Sequence, residues 1–135
     1  MHKVFVYGSL LSGMGNHSLL GVSKKLGESK SPIGFKMVDL GYFPGVVKSE
    51  DGIGDVVGEV YEVDDDTMRR LDRLEGYSSI NPDNGFYNRI EINTDFGTAF
   101  MYTVNHGFTR GGKFVENGDW KAYFKLKTNK YQDSL

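Results

Sequence analysis

Val57-Gly58-Glu59-Val60-Tyr61-Glu62-Val63-Asp64-Asp65-Asp66-Thr67-Met68-Arg69-Arg70-Leu71-Asp72-Arg73-Leu74-Glu75-Gly76 reads as a strand running straight into a helix. Residues 54–63 make the longest strand candidate of the chain. They are rich in β-branched and aromatic side chains, and Val57, Glu59, Tyr61 and Val63 share one face by the period of two. Residues 65–74 make the clearest helix. Three aspartates at its start can cap free N–H groups and favour the positive end of the helix dipole. Gly76 is the residue type that most readily takes the left-handed conformation at a helix end.

Working outward, the composition favours sheet. There are 18 Gly, 12 Val, 9 Phe and 8 Tyr against 2 Ala in 135 residues, a balance suited to strands and tight turns rather than long helices. Residues 3–7, 35–40 and 45–48 read as strands, and 87–93 with 98–105 as a hairpin turning through Asp95-Phe96-Gly97. Residues 121–127 are expected to add one more strand, and 16–20 a short second helix. No repeat, low-complexity tract or linker divides the chain, so one domain over 1–135 is expected.

Charge and cysteine usage exclude several classes. With 16 basic and 18 acidic residues the formal charge is −2, which lacks the basic excess that nucleic-acid binding uses. The absence of cysteine removes disulfides, thiolate zinc sites and a cysteine nucleophile. The apolar run Val4-Phe5-Val6-Tyr7 is broken by Gly8-Ser9 with no cleavage signal after it, and no stretch nears the ~20 residues that span a bilayer. A cytoplasmic protein without membrane contact is expected.

The glycine-rich segment 8–15 follows a strand but lacks the Gly-Lys-Ser/Thr ending of a phosphate loop. What remains is a turn, Tyr7-Gly8-Ser9-Leu10, whose N–H groups are either plain loop geometry or a cradle for a carboxylate or oxyanion. His2, His17 and His106 are scattered in no ligand spacing, and the three aspartates lack the alternation of a calcium loop. No metal or cofactor is expected. Lys121, Lys125, Lys127 and Lys130 read as a solvated strand face with a frayed tail.

Glu75 stands out. Met68, Leu71 and Leu74 mark the helix's apolar stripe, and Glu75 lies seven residues after Met68 and four after Leu71, which turns it inward. Burial, the helix C-terminus and the neighbouring Asp72 are three reasons for a raised pKa, as a general acid/base would have. A structural pair with an arginine such as Arg89 is the competing reading. Glu59 is the other inward carboxylate, and its strand-centre position favours a structural role. Tyr87 and Arg89 share a face able to line a pocket.

Five segments occur together in order: Tyr7-Gly8-Ser9-Leu10, Leu40-Gly41-Tyr42-Phe43-Pro44-Gly45, Val57-Gly58-Glu59-Val60-Tyr61, Leu71-Asp72-Arg73-Leu74-Glu75-Gly76-Tyr77 and Tyr87-Asn88-Arg89. This set resembles the γ-glutamylcyclotransferase-like proteins, including the AIG2-like branch with its short bacterial members. The resemblance spans residues 4–105, with Gly118-Asp119-Trp120 similar to the end of the short forms. It implies an α+β fold, a small mixed β-barrel with short helices packed outside. It also implies Glu75 as the catalytic glutamate, Tyr7, Gly8, Ser9 and Leu10 as the loop that holds the γ-glutamyl part, and Tyr87 beside that pocket. The implied reaction converts a γ-glutamyl amine or amino acid to 5-oxoproline and a free amine. The implied protein is a monomer or weak dimer. A non-catalytic module holding a carboxylate-bearing metabolite in the same pocket is the alternative. Residues 17–31 and 78–85 are expected pocket walls that do not identify the leaving amine.

Overall fold

The computed structural model describes residues 1–77, 87–105, 109 and 112–133, without side chains beyond 128. Eight strands, a short 3-10 turn at His17–Leu20 and two α-helices build an α+β architecture. The strands are β1 (His2–Val6), β2 (Lys24–Lys30), β3 (Phe35–Asp39), β4 (Pro44–Lys48), β5 (Val57–Val63), β6 (Tyr87–Thr94), β7 (Gly97–Val104) and β8 (Lys113–Val115). The helices are α1 (Asp65–Glu75) and α2 (Trp120–Asp133). A five-stranded sheet runs β2-β5-β1-β7-β6 and a three-stranded sheet β4-β3-β8. Among the described residues no ladder closes either sheet, so the observed arrangement is two sheets rather than a closed barrel. Neither described helix is long and apolar enough to cross a membrane.

β1 is the hinge of the design. It pairs antiparallel with β5 and parallel with β7, which places it at the centre of the large sheet. Its side chains alternate between two cores, as the strand period requires. Val4 and Val6 join Tyr61, Val63, Met68 and Leu71 beneath α1. Phe5 and Tyr7 join Met37, Val46, Val60 and Trp120 on the other side. The strand therefore ends in a buried tyrosine from which the chain must turn at Gly8.

α1 begins as its sequence dictates. The Asp64 carboxylate accepts from the Thr67 N–H at 2.7 Å, and Gly76 closes the other end at φ 67°. Met68 and Leu71 are buried, but Leu74 is 43% exposed and does not belong to the buried stripe. The helix extends through Glu75.

The C-terminal segment corrects the sequence reading outright. Residues 121–127 form the first turns of helix α2, not a strand. Asp119 accepts from the Ala122 N–H at 3.1 Å, acting as its cap. Trp120, Tyr123 and Phe124 fall at helical spacing, and all three pack on the second core. The lysines lie on that helix: Lys121 reaches the Ser12 hydroxyl at 3.2 Å, and Lys127 reaches Asp39 at 3.0 Å. Two strands went unread. β2 lies within the segment expected to be a loop, and β8 is a three-residue edge. The 54–63 strand begins at Val57.

Candidate active site

Glu75 lies at the C-terminal end of α1, where the helix crosses the mouth of the turn that follows β1. Tyr7, Gly8, Ser9, Leu10, Pro44, Glu75 and Tyr102 line a cavity of about 30 Å³, room for about two waters. Three chain segments far apart in sequence thus meet around one carboxyl group. Burial pushes the Glu75 carboxyl up to about 7. Among the described residues Glu75 has neither an ion-pair nor a hydrogen-bond partner, and the groups that feel its charge are the phenols of Tyr7, Tyr87 and Tyr102.

Those phenols are occupied. The Tyr7 hydroxyl donates to the Tyr102 carbonyl at 2.6 Å, and the Tyr87 hydroxyl to the Pro44 carbonyl at 2.9 Å. Burial, with the neighbouring Tyr87 and Glu75 adding to it, raises Tyr7 well above an ordinary tyrosine. Burial and the Glu75 charge raise Tyr87 in the same way. Both stay neutral donors over the working pH range. Tyr87 does not itself line the small cavity, but its hydroxyl fixes Pro44, which does.

The turn 8–12 is held from three sides. Leu11 N–H donates to the Gly8 carbonyl at 3.0 Å and Asn16 N–H to the Ser9 carbonyl at 2.8 Å, while the half-buried His17 ring meets the Leu10 carbonyl at 2.9 Å. Carbonyls are consumed. Among the described residues, the N–H groups of Ser9 and Leu10 donate to no protein acceptor. Gly8 is required by close approach rather than by its φ, because a Cβ there would lie 2.7 Å from Pro44 Cγ and 2.8 Å from its Cδ.

Glu59 lies on the far side of this turn and does a different job. Its Oε1 accepts from the Ser12 N–H at 2.8 Å and the Tyr61 hydroxyl at 3.0 Å, and its Oε2 from the Ser12 hydroxyl at 2.8 Å and Lys25 at 3.2 Å. Burial works to raise its pKa, but these donors outweigh it and hold the carboxyl at about 2. Glu59 is a permanently charged anchor.

Arg89 does not pair with Glu75. Its Nη1 lies 2.7 Å from Asp72 Oδ2, and the other Asp72 oxygen accepts from the Tyr102 hydroxyl at 2.6 Å. The sequence reading missed Pro44, Tyr102 and this pair. Pro44 and Asp72 stand inside the quoted segments, so the signal lay in their order along the chain; Tyr102 carried none. His2 sits against Asp65 at 2.6 Å, away from the cavity. His106 and the expected pocket wall 78–85 lie outside the described residues. Among the described residues, no group of three or more His, Asp or Glu is placed to hold a metal ion.

The molecule is thus a small α+β protein in which a half-buried carboxyl, without a partner among the described residues, faces the backbone turn that follows β1. The family model described as gamma-glutamyl cyclotransferase, AIG2-like, matches residues 4–122, and the chain belongs to that family. The gamma-glutamylcyclotransferase family protein YtfP of Escherichia coli is 36% identical over 118 residues, covering 87% of this chain and 95% of its own length. The gamma-L-glutamyl-butirosin B gamma-glutamyl cyclotransferase of Niallia circulans is 33% identical over 128 residues, covering 91% and 78%. An uncharacterized protein of Pyrococcus horikoshii has a similar structure, with a TM-score of 0.76 and 29% identity over 96% of this chain and 98% of that one.

Proposed function

We propose that this chain converts a γ-glutamyl amine or amino acid to 5-oxoproline and a free amine, with Glu75 as the general acid/base. The observation that carries the reading is the Glu75 carboxyl, which lines the cavity without a partner among the described residues and is pushed up to about 7 by burial. A base is most effective when its pKa lies close to the operating pH. The α-ammonium of the substrate gives a proton to the Glu75 carboxylate. The resulting amine attacks the γ-carbonyl carbon of the same molecule, forming the ring C–N bond and a tetrahedral oxyanion. Collapse breaks the bond to the leaving nitrogen, which takes the proton back from Glu75. Glu75 then removes the second proton of the ring nitrogen and passes it to the departing amine, which leaves as an ammonium, so the lactam keeps one N–H and Glu75 is again a carboxylate. No cofactor or co-reactant enters the balance.

The remaining groups position and stabilise. The amides of the turn Gly8-Ser9-Leu10 supply donors for the α-carboxylate or the oxyanion, with Tyr7 as the buried end of that turn and Tyr87 bracing Pro44 opposite. Nucleophile and electrophile share one molecule, so holding its conformation supplies much of the acceleration. The Niallia circulans relative, named for γ-L-glutamyl-butirosin B as substrate, supports a γ-glutamyl compound as the substrate of this chain. The test is release of 5-oxoproline from a panel of γ-glutamyl amines and amino acids. Wild type should release it, and Glu75→Gln should lose roughly two to four orders of magnitude in turnover. Near wild-type turnover by Glu75→Gln would remove Glu75 as the base. Binding without turnover across the panel would make the chain a binding module.

A further inference from the structure

We propose that Asp72 is a positioning residue that keeps the Arg89 guanidinium away from Glu75, so that the neighbouring carboxyl has no cationic partner among the described residues. Asp72 and Glu75 stand three residues apart on α1, where side chains of one face are neighbours about 5–6 Å apart at Cβ. Arg89 stands on β6 directly opposite Tyr102 of β7. The helix thus carries two carboxylates within one turn, Asp72 and Glu75, at the end where Arg89 meets it. The structure fills one and leaves the other. Asp72 Oδ2 takes Arg89 at 2.7 Å, and Asp72 Oδ1 takes the Tyr102 hydroxyl at 2.6 Å, so both oxygens are fixed in place.

Arg89 is held by more than charge. Its guanidinium lies 4.7 Å from the Tyr77 ring centroid and 4.5 Å from that of Phe100, between two aromatic faces. Its side chain is 19% exposed and that of Asp72 22%. The cation is thus clamped on Asp72. Among the described residues, the groups that feel Glu75 from the packed elements are the phenols of Tyr7 on the β1 turn, Tyr87 on β6 and Tyr102 on β7, none of them a cation. Along its own helix the charged neighbours are Asp72 and the exposed Arg73. The proposal rests on Glu75 being the base, but it is a statement about proton affinity and can be read without substrate.

The experiment titrates the full-length protein by carbon NMR of labelled glutamate, with the Glu75 signal assigned through its loss in Glu75→Gln, and follows the acidic limb of 5-oxoproline release in parallel. In Asp72→Asn the Arg89 cation loses its partner and turns to Glu75, so the Glu75 midpoint should fall by about one pH unit or more, as an opposite charge at that range produces. The acidic limb should fall with it. Removing Asp72 also removes a negative charge, which by itself would lower the midpoint. Asp72→Asn combined with Arg89→Gln separates the two causes: the midpoint should return close to wild type. A midpoint unmoved in Asp72→Asn, or a fall that persists in the double variant, overturns the proposal. Should Asp72→Asn not fold, Tyr102→Phe loosens Asp72 while keeping its charge. A downward shift there supports the proposal and an unchanged midpoint overturns it. If the NMR midpoint moves while the activity limb does not, the Asp72 role stands and Glu75 as the base falls.

Discussion

Glu75 and Glu59 carry the same side chain into opposite surroundings, one without donors among the described residues and one with four. The folded state binds the Glu75 proton more tightly than the unfolded chain does, so between the ordinary value of 4.5 and about 7 the unfolded state sheds a proton that the folded state keeps. Stability from this group is present at acid pH and is lost as pH rises through that window, by at most about 3.5 kcal/mol at 1.4 kcal/mol per tenfold change in proton affinity. Glu75→Gln should therefore leave the thermal midpoint unchanged at pH 4 and raise it at pH 8. Lowering of the midpoint at pH 8 would make Glu75 a satisfied structural carboxylate. Glu59 runs the other way. Its folded pKa of about 2 means stability present above 4.5 and lost as pH falls towards 2. Glu59→Gln should cost about 2–3 kcal/mol at neutral pH and progressively less in acid, read by denaturant midpoints from pH 7 to 3. The inward turn of Glu75 was legible because helical spacing fixes a face. The choice of Arg89 between Asp72 and Glu75 was not, because both sit on that face.

At the scale of elements, the turn after β1 is the part most sensitive to a single atom. The Pro44 ring occupies the space where a Gly8 side chain would start, and Pro44 also walls the cavity. Gly8→Ala must push the two apart, so KM for a γ-glutamyl substrate should rise by at least about tenfold, with the fold intact by circular dichroism. Ser9→Ala loses the bond in which the Ser9 hydroxyl accepts from Asn16 at 3.0 Å, a cost of about 1 kcal/mol in stability, with KM nearly unchanged. Equal and large KM losses in both would place the Ser9 hydroxyl on the substrate. The sequence marked a glycine in this turn but not the ring it makes room for, because Pro44 arrives from another sheet. Elements were legible where one face is buried and the pattern is sharp, as in β1, β5 and α1. β2 was not, since Lys24, Lys25 and Glu28 on an edge strand leave little alternation to read. α2 was misread because its polar and apolar residues alternate over 121–127 while the helical signal rests on Trp120, Tyr123 and Phe124 alone.

For the whole molecule, that misreading matters because α2 brings the chain's one tryptophan into the core shared by both sheets. Trp120 is 1% exposed and packs with Phe5, Met37, Val46, Val56 and Val60, residues drawn from β1, β3, β4, β5 and the segment before β5. Glu75 lies beside the other core, with Met68 and Leu71 below it. The two halves share the large sheet, and β1 supplies alternate residues to each. Trp120→Ala should therefore cost about 3–5 kcal/mol, the usual loss for emptying a buried aromatic site, in a single transition if both cores unfold together. The polar contacts of the same helix should matter far less: Lys127→Ala removes a half-exposed lysine from Asp39, which keeps the Tyr123 hydroxyl and the Gly41 N–H, and should cost under about 1 kcal/mol. Denaturant unfolding followed by circular dichroism and by tyrosine fluorescence gives both numbers. Coincident curves with a large loss for Trp120→Ala would show that α2 closes the core on which the Glu75 side of the sheet depends. A loss near that of Lys127→Ala, or two separated transitions, would mean that the sheet and α1 hold the site without it.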